Sequence, residues 1–154
     1  LVSDPSAKNT FTMLTERERI VELCNKLFVY TDYREWDRLV NEVFTPDVFV
    51  DTTSLGENSQ MMPAQALCEK WKKGFEGLDA IHHQAGNYLI NITDHGADIF
   101  CYATASHFKA HAQHGHTREF VGSYHLHAIY SPMGWRLDRF QFNLKYVAGN
   151  KDLK

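Results

Sequence analysis

Two histidines stand side by side in "AIHHQAGNYLI", residues 80–90, where a loop becomes a strand, and a third, His107, closes the strand "ADIFCYATASHFKAH". Imidazole gains and loses a proton near neutral pH, so such residues are the first candidates for proton-transfer chemistry. Residues in step with His107 are Ile99, Cys101, Ala103 and Ala105, a row that is apolar and mostly small, and small side chains leave room for a ligand. Taken alone, His107 is read first as a core histidine bonded to a backbone carbonyl. For the pair, alternation sends His82 and His83 to opposite faces. It groups His82 with Tyr88, Ile90 and Ile92, and His83 with Ala85, Asn87 and Leu89, which leaves the choice open. One of them capping the strand while the other meets water fits as well. The remaining candidate is Asp32, whose carboxylate falls in the last turn of an expected helix, opposes the helix dipole there, and would be compensated by a nearby imidazole.

Helices and strands must position these groups. "TERERIVELCNKLFVYTDY" opens with Thr15 and Glu18 as a capping box and carries an inward stripe of Ile20, Leu23, Cys24, Leu27 and Thr31, with Val21, Phe28 and Asp32 along its edge. "REWDRLVNEVF" reads as a second helix, ended by "TPD" at 45–47, and "VFVDTT" as a short strand. A third helix starts at Pro63 and runs until "EGLDA" breaks it. From residue 83 onward the pattern changes to long strands, about 86–93, 97–111, 117–130 and 135–147, divided by "TDHG", "QHGH" and "SPMG". Helices followed by an antiparallel meander give an α+β domain, and a sheet of this length should curl around the helices and leave a concave apolar pocket. The organisation expected is a flexible segment at 1–12, one domain at 13–148 and a polar tail at 149–154.

Composition excludes other classes. The 154 residues, 44% hydrophobic and 13% aromatic, suit one domain with a real core. A formal charge of −3 with scattered basic residues argues against nucleic-acid binding. No apolar run approaches the roughly 20 residues that span a bilayer, and "LVSDPSAKNT" lacks the sections of a signal peptide, so a cytoplasmic protein without a membrane partner is expected. Cys24, Cys68 and Cys101 are odd in number and lie among apolar residues, as reduced core thiols do. "HAQHGH" at 111–116, with His125, His127 and Glu119, offers imidazoles to a metal, but a hairpin turn leaves its residues in water and nothing completes a ligand set. No metal is expected. The face carrying Val121, Ser123, His125, His127 and Ile129 is semi-polar and suits a homodimer or higher symmetric oligomer.

"DYREWDRL" (32–39), "VDTTSLG" (50–56), "MPAQAL" (62–67), "IHHQAGN" (81–87), "SHF" (106–108) and "GWRL" (134–137) together resemble the scytalone dehydratase family and the wider SnoaL-like group of the NTF2-like superfamily. The resemblance runs in order over about residues 15–147 and implies a cone of three helices, gathered toward the N-terminus, packed into a strongly curved antiparallel sheet. It implies a catalytic set of Asp32, His83 and His107, thus selecting His83; a β-bulge near Gly86 would reconcile this with the alternation counted from Tyr88. Such a set moves protons without a cofactor: one imidazole abstracts a proton alpha to a carbonyl, the same or the second serves a departing β-hydroxyl, and Asp32 fixes the tautomer. The family polarises the substrate carbonyl with two tyrosines, whose places are held here by Thr31 and Thr52, shorter and less acidic. Another donor is then required. Tyr124, in step with Gly122, Leu126 and Ala128, is a candidate, with Tyr30 and Asn87 behind it. The function expected is a lyase or isomerase acting on a small apolar cyclic hydroxy-ketone of polyketide or steroid type; the alternatives are a SnoaL-type polyketide cyclase and a non-catalytic binding or structural subunit.

Overall fold

A computed structural model describes residues 13–154; the segment 1–12, expected to be flexible, lies outside the described residues. Helix α1 spans Glu16–Asp32 and begins with the capping box read from the sequence: Glu18 N–H donates to Thr15 Oγ1 (3.1 Å) and Thr15 N–H to Glu18 Oε2 (2.7 Å). Its stripe of Ile20, Leu23, Cys24, Leu27 and Thr31 is buried, and Phe28 on the edge is buried with it. The second helix is shorter than its hydrophobic pattern suggests. One α turn, Trp36–Arg38 (α2), passes into a π turn at Leu39–Val43, which buries Leu39 and Val43 and delivers the chain to strand β1, Phe44–Asp51. A 3₁₀ turn at Thr53–Leu55 and a short strand β2, Gln60–Pro63, precede helix α3, Ala64–Gly74. Four long strands complete the chain: β3 (Ala80–Thr93), β4 (Gly96–Phe108), β5 (Thr117–Ser131) and β6 (Gly134–Gly149).

The strands form one open, curved sheet in the order β2-β1-β6-β5-β4-β3. Two expectations are corrected here. The sheet is mixed, because β1 runs parallel to β6 while every other neighbouring pair is antiparallel. The helices are not all ahead of the sheet, since α3 follows β1 and β2. The first depends on β1 finding a partner about ninety residues later, and no local pattern records such a pairing.

The β1–β6 seam is irregular: β1 advances five positions from Phe44 to Phe49 where β6 advances only two, from Leu137 to Arg139. Pro46 lies in this excursion and cannot donate to the ladder, and Thr45 Oγ1 reaches Leu137 O (3.1 Å) instead. Beyond the end of β1, Ser54 takes over the edge of β6. Its Oγ donates to Phe142 O (2.8 Å) and accepts from Leu144 N–H (3.0 Å), which pins the segment carrying Thr52 against the sheet.

The core lies between the helices and the concave face. Ile20 and Leu27 of α1, Leu39, Leu67 of α3, Ile99 of β4, Leu126 of β5 and Leu137 of β6 are fully buried. Cys24, Cys68 and Cys101 are buried free thiols, and burial raises the pKa of each above the ordinary thiol value. Among the described residues no helix is long and apolar enough to cross a membrane.

Candidate functional site

Toward one end of the concave face the core is incomplete, and a cavity of about 250 Å³ remains. Its walls are mainly apolar and aromatic, with Phe28, Trp71, Phe75, Phe120 and Phe142 prominent among them. Of the eight residues proposed from the sequence, His83, His107, Thr31, Thr52 and Tyr124 line it.

His83 reaches the cavity because of a bulge. On β3 the register with β4 runs regularly from Ala80↔Phe108 through His83↔Ala105 to Gly86↔Tyr102, then shifts before Leu89↔Phe100. The additional residue turns Tyr88 and Ile90 inward beyond the bulge while His83 and Ala85 face inward before it. A count from Tyr88 therefore lands on His82, which is exposed. Asn87 carries the distortion with φ 57°, a left-handed conformation that asparagine tolerates and β-branched residues do not. Asn87→Val should accordingly lower stability by about 1–2 kcal/mol in urea unfolding, whereas Asn87→Gly should leave it within a few tenths.

Asp32 closes helix α1, whose last turn holds no basic residue. Both its oxygens are used by His83: Oδ1 lies 2.6 Å from Nδ1, and Oδ2 accepts the backbone N–H at 2.8 Å. The side chains are only 8% and 10% exposed. A carboxylate facing Nδ1 requires the hydrogen on that nitrogen, which leaves the Nε2 lone pair free in the neutral ring. Phe28 stacks on the imidazole, with ring centroids 5.4 Å apart.

His107 is arranged in the opposite sense. It sits diagonally across the β3–β4 ladder from His83, since His83 pairs with Ala105 and His107 with Ile81. Arg118, its partner in β5, donates Nε–H to Nδ1 at 3.0 Å. A neutral His107 therefore carries its hydrogen on Nε2. Phe75 and Phe120 flank the ring at 5.4 and 5.3 Å, and the residue is 6% exposed. Burial, aided by the charges of Arg118 and His83 and opposed by Asp32, lowers its pKa from 6.5 to about 4. One ring thus offers a lone pair while the other offers an N–H.

The hydroxyls differ in availability. Thr31 Oγ1 is occupied by Leu27 O at 2.7 Å. Tyr124 is buried among Phe28, Phe140 and Phe142, and burial raises its pKa, so it keeps its proton and can donate it in a hydrogen bond. At the rim, Glu57 forms an ion pair with Lys70 of α3. Two expected substrate contacts are placed elsewhere. Tyr30 points toward α2, donating to Glu42 Oε2 (3.0 Å) and accepting from Arg38 Nη2 (2.7 Å). Asn87 is exposed and borders a groove on the outer face beside Tyr102 and Lys145.

Arg118 was not among the sequence candidates. A tight turn at "QHGH" would set Gly122 opposite His107; the strands pair instead from Phe108↔Thr117 around a longer connection, a register that no local signal gives, and this brings Arg118 to His107. Phe28 falls only at the edge of the helix stripe in the sequence, and its stacking on His83 depends on the bulge. Among the described residues no three His, Cys, Asp or Glu side chains converge as metal ligands. His125 and His127 pair separately, with Asp98 and Asp138.

A SnoaL-like domain model matches residues 12–141. No curated protein shows significant sequence similarity to the chain. Among solved structures, the Kfla4162 protein of Kribbella flavida superposes with a TM-score of 0.83 at 24% identity, covering 86% of this chain and 93% of its own. A Novosphingobium aromaticivorans protein provisionally assigned as a scytalone dehydratase gives 0.75 at 13% identity, with 88% and 87% covered. The hexachlorocyclohexane dehydrochlorinase LinA-type3 of Novosphingobium barchaimii gives 0.71 at 12% identity, with 88% and 90% covered. At these identities the likeness concerns the fold.

Proposed function

This chain belongs to the SnoaL-like domain family, and we propose that within it the protein is a cofactor-independent lyase or isomerase acting on a small cyclic hydroxy-ketone. The observation that carries this reading is the pair of oppositely polarised imidazoles on one apolar cavity, His83 backed by Asp32 and His107 backed by Arg118. A module that only binds has little use for a lone pair and an N–H held in this way. Among proteins of like fold, one is assigned as a dehydratase and another as a dehydrochlorinase, both names for eliminations.

In this mechanism His83 Nε2 removes the proton alpha to the carbonyl, and Asp32 stabilises the imidazolium that forms. Charge gathering on the carbonyl oxygen is met by the Tyr124 hydroxyl and by His107 Nε2–H, both in a mainly apolar cavity. The β C–O bond then breaks as the C=C bond forms, and the proton held by His83 passes to the departing hydroxyl, so water leaves and the enzyme returns to its starting state. His107 acts as a hydrogen-bond donor throughout. A neutral imidazole would have to become imidazolate to release its proton, whereas the His83 imidazolium releases one readily. The aromatic walls favour a flat ring system, and about 250 Å³ suits one or two fused rings.

The test is a panel of cyclic β-hydroxy-ketones incubated with the enzyme in D₂O, following α-deuteration and water loss by mass spectrometry. Wild type should label or dehydrate at least one member, and His83→Ala should lower that rate by about 10³-fold or more. Equal rates for the two proteins would rule out this acid–base assignment. Binding of ring compounds without exchange or elimination would establish a non-catalytic pocket.

A further inference from the structure

Nothing in the site geometry described so far accounts for residues 149–154, read from the sequence as a polar tail. They fold back onto the molecule. Gly149, with φ 82°, turns the chain so close to Thr117 that a Cβ there would lie 2.5 Å from Thr117 O. Asn150 N–H then donates to Thr117 O (2.8 Å), and its side-chain amide donates to Gln113 O (2.6 Å) and Gly115 O (2.9 Å) in the β4–β5 connection. Leu153 is 3% exposed despite its polar neighbours, and Lys154 O accepts from Gln113 N–H.

Between these anchor points lies Arg118. Its Nη1–H donates to Lys151 O at 3.1 Å, the Asp152 charge acts favourably on it, and its guanidinium lies 5.5 Å from the Phe120 ring centroid. The opposite side of the same guanidinium donates Nε–H to His107 Nδ1. A guanidinium is rigid and planar, so fixing Nη1 on the tail also fixes the direction of Nε–H. We propose that Arg118 is a positioning residue that locks His107 as the Nε2–H tautomer, and that residues 150–153 are the brace holding Arg118 in place. The inference rests on the reading above, in which His107 works in the cavity through Nε2–H.

The lock is chemical as well as geometric. Arg118 is always a donor, so Nδ1 of His107 must be an acceptor, and protonating it would set two N–H groups and two positive charges against one another. The groups facing His107 are Arg118 and Phe120 from β5, His83 from β3, Phe75 just past the end of α3 and, more distantly, Asp32 from α1; of these only Asp32 favours protonation. Removing Arg118 eliminates both the donor and the repulsion. Removing the brace leaves the charge but frees its direction.

The experiment is ¹⁵N-histidine NMR of the full chain, which reports tautomer and titration midpoint without any substrate. Wild-type His107 is expected as Nε2–H with an unprotonated Nδ1. In Arg118→Met it should become a tautomer mixture and titrate about one pH unit or more higher. Deleting residues 151–154 should give mixed tautomers with a smaller rise, and Arg118→Lys should recover part of the low midpoint. A wild-type Nδ1–H signal would overturn the proposal, as would an unchanged tautomer and midpoint in Arg118→Met. If Arg118→Met does not fold, the deletion decides alone, with an unchanged wild-type spectrum counting against the brace. None of these outcomes depends on turnover, so a failed deuteration assay and a failed lock are separate results.

Discussion

Asp32→Asn is expected to fold as the wild type does and to lose about 10³- to 10⁴-fold in turnover, because the substitution forces His83 into the wrong tautomer. The carboxylate makes two contacts that each need an acceptor: Oδ1 to His83 Nδ1 and Oδ2 to the His83 backbone N–H. The backbone donor cannot change. An asparagine must therefore give its oxygen to the backbone and its NH₂ to the ring, or set that NH₂ against the peptide N–H. The first arrangement satisfies every group if Nδ1 becomes an acceptor, which puts the ring hydrogen on Nε2, and the base facing the cavity is gone. Size and shape are preserved, so a circular-dichroism spectrum and urea midpoint close to wild type are expected. Asp32→Ala would confound the two effects by leaving buried donors unpaired. Asn with normal stability and undiminished rate would mean that Asp32 does not set the tautomer.

The legibility of the site varied with how local its determinants are. Asp32 was visible because a capping box fixed the start of α1 and the hydrophobic rows fixed its rotation, and both are written in neighbouring residues. His107 was visible as the polar end of a small apolar row. The choice between His82 and His83 was not legible in the alternation and came only from the family resemblance, since one residue in the left-handed region reverses the alternation, and asparagine marks that conformation only weakly. Arg118 and the tail needed a hairpin register plus a chain reversal at Gly149. The parallel β1–β6 pairing likewise turns on contacts between distant segments. The two threonines at 31 and 52 do line the cavity, but whether a hydroxyl is free there depends on its partner, and Thr31 spends its proton on Leu27 O.

Low pH should destabilise the protein through His107, and the sign follows from the direction of its shift. The folded-state pKa, about 4, lies below the ordinary value of 6.5, so between those limits the unfolded chain binds the proton and the folded one does not. Stability contributed by keeping this ring neutral is fully present above pH 6.5 and is lost as pH falls through 4, with a total on the order of 3 kcal/mol. Because the residue is buried, solvent screening takes little from that figure. Other groups titrate in the same range, so the measurement is a difference: urea unfolding of wild type and of His107→Gln at pH 7, 5.5 and 4. At pH 7 the variant should be the less stable, having lost packing against Phe75 and Phe120. As the pH falls, the wild type should lose the additional 3 kcal/mol or so and the gap should close or invert. A gap that stays constant from pH 7 to 4 would mean that His107 titrates alike in both states. The flanking rings, the Arg118 charge and the fixed N–H would then have no hold on its protonation, and the donor role assigned to it would fail with them.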